Sequence, residues 1–162
     1  MEKMRNATLV FLIKKSNGKI EEICLAMKKR GFGVNRWNGV GGKQKDEETI
    51  EDAAIRETNE EIVVEVENLN KIAELTFRFS KNPSWNQIVH TYFTENWTGE
   101  PTESEEMNPK WFKVKEIPFE KMWPDDIFWL PEVLKGNLVK ADFTFGENDV
   151  IEKKEVKIVK NL

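Results

Sequence analysis

The sequence has 162 residues, of which 39% are hydrophobic and 33% are charged. This balance excludes a disordered chain and leaves enough apolar surface for the core of one domain, which we expect to span residues 1–162. The formal net charge of −4 argues against stable binding of nucleic acid, because such binding neutralises many phosphates, but it permits a small phosphorylated substrate.

The compartment is indicated by the cysteine content and by the first apolar segment. Cys24 is the only cysteine, so no internal disulfide can form, and it lies in an apolar run where we expect it to be buried. The apolar run near the N-terminus is too short to cross a bilayer and carries no small-residue cleavage site. We therefore expect a cytoplasmic protein with no membrane partner. No apolar stripe is left over for an interface, which predicts a monomer.

The first half of the chain reads as a hairpin, a loop and a helix. Residues 7–14 and 20–27 are rich in strand formers and flank Asn17-Gly18, which predicts a β-hairpin with a tight turn. Five glycines between residues 30 and 43 indicate a loop with unusual backbone angles, pressed close to a ligand. Residues 49–62 follow as a predicted helix, with one buried stripe formed by Ile50, Ala54, Thr58 and Ile62.

The second half alternates short strands with one more helix. Strands are predicted over residues 72–80, 87–97 and 110–114, and a helix over residues 125–134, between Pro124 and Gly136. A closing hairpin is predicted over residues 138–145 and 150–159. The run from Glu152 to Glu155 is interpreted as a solvated strand face. This order of elements predicts a mixed α/β fold.

Three glutamates share one face of the first predicted helix. Glu57, Glu60 and Glu61 stand at positions i, i+3 and i+4, where their like charges repel one another. A hard divalent cation such as Mg²⁺ takes oxygen ligands and turns this repulsion into coordination. The alternative is a solvated acidic face. The glycine-rich loop directly before the helix favours the metal site, because its backbone can face phosphates.

These residues resemble the Nudix box, G-x5-E-x7-R-E-U-x-E-E-x-G-U, where U is a bulky aliphatic residue. The matching positions are Gly42, Glu48, Arg56, Glu57, Glu60, Glu61 and Val64. The resemblance implies the Nudix fold, in which a mixed β-sheet lies between helices in an α/β/α arrangement. It also implies that Mg²⁺ or Mn²⁺ binds Glu57, Glu60 and Glu61, with a backbone carbonyl near Gly42 as a further ligand, and that Glu48 pairs with Arg56 to hold the loop on the helix.

Two positions depart from the box. Thr58 stands at the first aliphatic position, where we expect its hydroxyl to bond a carbonyl one turn back. Val63 replaces the glycine after the helix, and a β-branched residue disfavours the left-handed backbone that such a glycine provides.

Most of the chain also resembles the MutT-related subfamily of oxidised purine nucleoside triphosphatases, the 8-oxo-dGTP diphosphatases. The matching stretches are MKKRGFG, RWNGVGGK, ETIEDAA, EEMNPKWF and IPFEKMWPDD. This resemblance implies a base pocket of Asn38, Trp123, Asp125 and Asp126 with apolar walls from Phe32, Phe77 and Phe79. It further implies that Lys28 faces the phosphates, that Thr8 lies near the base or sugar, and that Glu106 adds a carboxylate near the metal.

Other interpretations of these residues stay open. Trp123 and Trp129 fit core aromatics, an interpretation that we favour for Trp129, and Asp125 and Asp126 fit caps of the following helix. His90 lies in a predicted strand and is expected to be packed or hydrogen-bonded. The segment 79–87 resembles the subfamily least and leaves Trp85 without a role, although it can alter the rim of the pocket.

Other functions are also compatible with the box. A Nudix enzyme can act instead on ADP-ribose, a dinucleoside polyphosphate or an RNA 5′ end, and the acidic charge weakens the last of these. A catalytically inactive domain that only binds nucleotides is a further alternative, which the intact glutamates disfavour.

Overall fold

The computed structural model describes residues 4–162. It begins with the predicted hairpin, in which strand β1 (Arg5–Ser16) runs antiparallel to strand β2 (Lys19–Lys28). The turn residues Asn17 and Gly18 both have positive φ, 54° and 78°, as the predicted Asn-Gly hairpin turn requires.

Six more strands join β1 and β2 in one mixed sheet: β3 (Trp37–Asn38), β5 (Asn70–Phe79), β6 (Gln87–Thr94), β8 (Met107–Lys113), β9 (Leu138–Phe145) and β10 (Ile151–Val159). The strand order is β10-β9-β5-β6-β1-β2-β3, with β8 paired to the outer edge of β2. The β1–β6 and β5–β9 pairs are parallel and the others are antiparallel.

Each face of the sheet is covered by one helix. Along β1, Phe11 belongs to the core that contains Trp129 of helix α2 (Asp126–Leu134), while Val10 belongs to the core that contains Ala54 of helix α1 (Ile50–Ile62). Alternation of side chains along a strand sends neighbours to opposite faces, so β1 contributes to both cores. The predicted α/β/α arrangement is therefore confirmed.

Helix α1 starts where the sequence predicts. The Thr49 side chain accepts a hydrogen bond from the Asp52 backbone N–H at 3.0 Å, which caps the helix. Ala54, Thr58 and Ile62 are buried as the predicted stripe requires, whereas Ile50 at the first turn is only half-buried. The Thr58 hydroxyl donates to the Ala54 carbonyl at 2.7 Å, as expected.

The end of α1 differs from the prediction. Val63 adopts the left-handed conformation, with φ 63° and ψ 35°, and its N–H donates to the Asn59 carbonyl. A β-branched residue disfavours this conformation, but the hydrogen bond and the immediate burial of Val64 hold the chain there. The cap has the geometry of a glycine cap without the glycine.

Other differences concern short elements. The strand predicted over residues 87–97 is two strands, β6 and β7 (Trp97–Thr98), because the Thr94 hydroxyl accepts from the Asn96 N–H and turns the chain. Strand β7 pairs with β4 (Glu65–Val66) in a separate ribbon that the sequence did not indicate. Cys24 and the exposed run 152–155 are as predicted. No helix in the described part of the chain is long and apolar enough to cross a membrane.

Candidate active site

The three box glutamates and Glu106 line one cavity of about 320 Å³, which also includes Arg30, Ser104 and Glu105. Helix α1 supplies the three glutamates, and the segment before β8 supplies Glu106. The structure thus brings together every carboxylate that the resemblance assigns to a metal site. Carboxylate oxygens are the donors that Mg²⁺ and Mn²⁺ prefer, so the chemistry of this set fits a divalent cation.

Glu48 and Arg56 lock the loop onto the helix. Arg56 donates from Nε to Glu48 Oε2 at 2.7 Å and from Nη2 to Glu48 Oε1 at 3.0 Å, and Nη2 also reaches the Lys43 carbonyl. This two-point contact is the geometry expected of an arginine and a carboxylate. The guanidinium of Arg56 lowers the pKa of Glu48 to about 2. The predicted Glu48–Arg56 pair is present.

Arg56 also donates hydrogen bonds to two of the three box glutamates. Its Nη1 lies 2.9 Å from Glu57 Oε1 and 3.3 Å from Glu60 Oε2, while Glu61 accepts from the Gly41 N–H at 3.3 Å. Within residues 4–162, no three acidic, histidine or cysteine side chains are grouped closely enough to hold an ion as they stand.

Glu61 is the most buried of the four carboxylates, at 6% exposure. Burial, together with the nearby charges of Glu57 and Glu106, raises the pKa of Glu61 to about 8, although the Gly41 N–H and Lys28 oppose the rise. A buried carboxylate beside like charges gains most from a bound cation.

The glycines Gly41 and Gly42 line a second cavity, and Gly42 lies against Glu57 of the first one. A Cβ at Gly42 would overlap the Glu57 carboxylate, and a Cβ at Gly41 would overlap the Thr8 carbonyl. Only glycine therefore fits at position 41, where the overlap is with backbone, while a side chain at position 42 would displace the Glu57 carboxylate. The Gly42 carbonyl, predicted near a metal, accepts from the Thr8 N–H at 2.8 Å and from the Thr8 hydroxyl at 3.2 Å.

The second cavity measures about 300 Å³ and lies between β1, the glycine-rich loop, β5 and the start of α2. Every side chain that the resemblance assigns to substrate binding lines it: Thr8, Lys28, Phe32, Asn38, Phe77, Phe79, Trp123, Asp125 and Asp126. Residues brought together from five separate segments thus form one pocket. Its volume matches the lower range of small-molecule sites.

Asp125 and Asp126 are almost fully buried, at 2% and 3% exposure. Asp125 accepts from Trp129 Nε1 at 2.8 Å, and Asp126 Oδ2 has no hydrogen-bond partner among residues 4–162. Burial raises the pKa of Asp125 to about 6, and burial and the Asp125 charge raise that of Asp126 well above its usual range. The Asp125 side chain makes no helix-capping bond to the described chain, so the capping interpretation does not describe it.

Two polar side chains of the pocket already make hydrogen bonds within the chain. Asn38 Oδ1 accepts from the Gly39 N–H at 2.8 Å, which directs its amide NH₂ away from that bond. The Thr8 hydroxyl contacts both the N–H and the carbonyl of Gly42 at 3.2 Å. Thr8 therefore links the pocket to the backbone of Gly42.

Aromatic rings form the pocket walls. The ring of Trp123 lies 5.0 Å from that of Phe32 and 5.9 Å from that of Phe145, while Phe77 stacks on Phe143. Trp129 is fully buried in the core, as its interpretation as a core residue predicts, and it also lines the pocket.

Phe32 is 53% exposed and stands between two glycines with φ of 82°, Gly31 and Gly33. Trp85, which had no role in the sequence analysis, lies 5.2 Å from Phe32 and 5.8 Å from Phe79. The segment that resembles the subfamily least therefore builds the outer rim of the pocket.

The sequence analysis did not assign Arg36, Phe145 or Asp149 to this site, nor the lining residues Gln87 and Met107. Phe145 completes a wall, and Arg36 lies over Trp123 and pairs with Asp149. Arg36 falls inside the matching stretch RWNGVGGK, which was a usable signal. Phe145 and Asp149 belong to the closing hairpin, where the sequence carries no motif.

His90 lies outside both cavities. Its Nδ1 is 2.8 Å from Lys71 Nζ and its Nε2 is 2.9 Å from Asn6 Oδ1. Burial and the Lys71 charge lower the pKa of His90. It is hydrogen-bonded within the sheet, as expected.

Comparisons with known proteins agree with this geometry. Residues 3–133 match the NUDIX domain family. The chain is 44% identical over 131 residues to the oxidized purine nucleoside triphosphate hydrolase of Mus musculus, covering 81% of this chain and 83% of the mouse protein. It is also 44% identical over 140 residues to the Danio rerio protein of the same name, covering 86% and 89%.

A solved structure of a MutT protein from Bacillus halodurans superimposes with a TM-score of 0.81 at 19% identity, covering 95% of this chain and 98% of that one. At this identity the likeness concerns the fold. The family match over most of the chain and the two relatives establish that this protein belongs to the NUDIX family.

Proposed function

We propose that this protein hydrolyses oxidised or otherwise modified purine nucleoside triphosphates, of the 8-oxo-dGTP and 2-oxo-dATP type, to the monophosphate and pyrophosphate. Such an activity removes damaged nucleotides from the pool. The names of the mouse and zebrafish relatives support this substrate class. The observation that carries the proposal is the buried pair Asp125 and Asp126 beside the ring of Trp123 in one pocket.

The aspartate pair can present a donor and an acceptor side by side. Two carboxyls buried next to each other do not both ionise cheaply, and the raised pKa of Asp126 keeps a proton on the pair near neutral pH. The protonated carboxyl donates a hydrogen bond and its neighbour accepts. Because Asp126 Oδ2 has no partner within the described chain, a base edge can satisfy it. Moving the proton between the two carboxyls would fit the pair to oxidised guanine or oxidised adenine.

Trp123 and Asn38 complete base recognition in this proposal. The indole offers a flat surface for stacking, which is worth about 1 to 3 kcal/mol per base in single-strand binders. The Asn38 amide reads the opposite edge of the base, with Phe32, Phe77 and Phe79 as apolar walls and Thr8 near the base or sugar. Ordinary dGTP pairs fewer of these groups, and each buried polar group left unpaired costs about 1 to 3 kcal/mol.

The acidic cavity is proposed to hold Mg²⁺ or Mn²⁺ through Glu57, Glu60 and Glu61, with Glu106 nearby and a carbonyl of Gly42 as a further donor. A bound divalent cation would neutralise phosphate oxygens and lower the pKa of the attacking water. Lys28 lines the base pocket and its charge also acts on Glu61, which suits a position along the phosphates. Arg56 and Glu48 hold the helix that presents the glutamates.

We also propose that residues 1–162 act as one monomeric domain in the cytoplasm. Both cores share the central strand β1, which supports a single folding unit. The net charge of −4 and a pocket sized for one base favour a free nucleotide over a nucleic acid.

The test is a substrate panel run on the wild type and on Asp125→Asn. It contains 8-oxo-dGTP, 2-oxo-dATP, methylated purine triphosphates, ordinary dNTPs and ADP-ribose, and pyrophosphate release is measured. We expect the modified purines to have the highest kcat/KM, and Asp125→Asn to raise their KM by roughly tenfold or more while the metal requirement is unchanged.

Asp142→Asn is the matched control, because Asp142 lies in a half-exposed pair with Arg78 outside both cavities. It should keep the wild-type selectivity. Equal kcat/KM for dGTP and every modified purine, or unaltered selectivity in Asp125→Asn, would show that the aspartate pair does not read the base.

A further inference from the structure

Arg36 occupies a specific place in the base pocket. Its guanidinium carbon lies 4.1 Å from the centroid of the Trp123 ring, and its Nη1 lies 2.9 Å from Asp149 Oδ2. The Arg36 and Asp149 side chains are 28% and 35% exposed, so the pair is largely withdrawn from solvent. At this distance a guanidinium interacts with the electrons of an indole ring.

The backbone on both sides fixes this arrangement. The Arg36 carbonyl accepts from the Lys28 N–H at 3.1 Å, and the Arg36 N–H donates to the Gly33 carbonyl at 3.2 Å. Asn148 and Asp149, in the β9–β10 connection, both have positive φ, 56° and 58°. A non-glycine residue with positive φ is costly unless its surroundings hold it, so the turn that presents Asp149 is a built feature.

The charge of Arg36 changes what Trp123 can stack on. A cation over one face of an aromatic ring draws electron density toward that face, so the ring becomes a better partner for electron-rich groups and a poorer one for cations. The guanidinium of Arg36 lines the same pocket, where it repels a second cation directly. Both effects disfavour a positively charged base in the pocket.

We propose that Arg36 is a specificity-determining residue that favours uncharged, oxygen-rich purines over cationic purines such as 7-methylguanine, and that Asp149 is the positioning residue that holds its guanidinium over Trp123. This inference rests on the proposed function. It assigns a role to the closing hairpin, which lies beyond the residues matched by the NUDIX family.

The test compares kcat and KM for 8-oxo-dGTP and 7-methyl-dGTP, below the pKa of the N1 proton of 7-methylguanine so that this ring stays cationic. The variants are Arg36→Gln, Arg36→Lys, Asp149→Asn and the double variant Arg36→Gln/Asp149→Asn. We expect Arg36→Gln to lower the ratio of kcat/KM for 8-oxo-dGTP to kcat/KM for 7-methyl-dGTP by roughly tenfold, mainly through the two KM values. Because the ratio compares two substrates of one sample, a misfolded fraction cancels.

The other variants separate charge from position. Arg36→Lys keeps the charge without the planar group and should retain part of the discrimination. Asp149→Asn should lower the ratio by a few-fold, and the double variant should lower it no further than Arg36→Gln, because Asp149 acts through Arg36. The matched control is Arg78→Gln, which breaks the similar Arg78–Asp142 pair outside the pocket and should leave the ratio unchanged.

An unchanged ratio in Arg36→Gln would overturn the role of Arg36, and additive effects in the double variant would overturn that of Asp149. The proposed function fails in a different way, namely if the wild type hydrolyses 8-oxo-dGTP no better than dGTP.

Discussion

We expect the backbone conformation of Val63 to be less favourable for valine than for glycine. It holds the left-handed conformation that ends α1, at the position where the Nudix box has glycine, and it is 53% exposed. Replacing it with glycine or with alanine removes the same apolar contacts apart from one methyl group. The two variants differ mainly in the cost of the left-handed backbone.

The magnitude follows from two opposing terms. An L-residue in the left-handed region costs roughly 1 to 2 kcal/mol, which Val63→Gly relieves and Val63→Ala retains. Glycine loses more backbone entropy on folding, by about 0.4 to 1 kcal/mol relative to alanine. We therefore expect Val63→Gly to be more stable than Val63→Ala by about 1 kcal/mol, a difference of roughly 2 to 4 °C in Tm for a chain of this size.

The assay is urea unfolding followed by circular dichroism, with Tm from calorimetry. In the middle of a helix or strand, alanine is more stable than glycine by about 0.5 to 1 kcal/mol, so the expected order at residue 63 is the reverse of the usual one. Glu100→Ala, in the exposed segment after β7, serves as a surface control. Val63→Ala proving as stable as Val63→Gly, or more so, would refute a strained cap.

Two further predictions concern the ionisable groups of the site. Glu61→Gln should lower kcat by at least about 100-fold while the fold is retained, because it removes charge from a cavity that is proposed to hold divalent cations. EDTA should abolish wild-type activity for the same reason. Near wild-type turnover in both Glu61→Gln and Glu57→Gln would mean that the helix carries only a solvated acidic face. Asp126→Asn should weaken the pH dependence of stability. The pKa of Asp126 is raised on folding from 3.8, so the folded chain binds more protons than the unfolded chain, and the free energy of unfolding falls as pH rises above 3.8. The asparagine of this variant does not titrate, so the variant should gain stability relative to the wild type as pH rises through this range, measured by urea unfolding at several pH values. The raised pKa of Glu61 contributes equally to the pH dependence of both proteins and cancels in their difference. Parallel curves of unfolding free energy against pH for the two proteins would contradict a raised Asp126 pKa.

The sequence predicts the site as far as local pattern carries information. Helical spacing placed Glu57, Glu60 and Glu61 on one face, and the wider resemblance named nine side chains that line the base pocket, of which Thr8, Phe77 and Phe79 lie outside the matching stretches. The hydrogen bonds that Arg56 donates to Glu57 and Glu60 were not predictable, because side-chain rotamers depend on which partners compete for them in the folded chain.

Long-range contacts account for most of the rest. The pairing of Arg36 with Asp149 joins residues 113 positions apart, and no local pattern encodes such a contact. The β4–β7 ribbon involves two-residue strands, which leave no periodicity to detect. At Val63 the preference of a β-branched residue against left-handed backbone is overridden. The hydrogen bond to Asn59 and the burial of Val64 fix the backbone instead.

The place of β9 in the sheet has a consequence for how the protein is made. Strand β9 lies between β5 and β10 and pairs in parallel with β5, although it is among the last segments to be synthesised. Its final residue, Phe145, is a wall of the base pocket. The glutamate helix leaves the ribosome well before Phe145 is added to the chain. A nascent or prematurely terminated chain that stops before β9 would therefore carry the Nudix box with one wall of the second cavity missing.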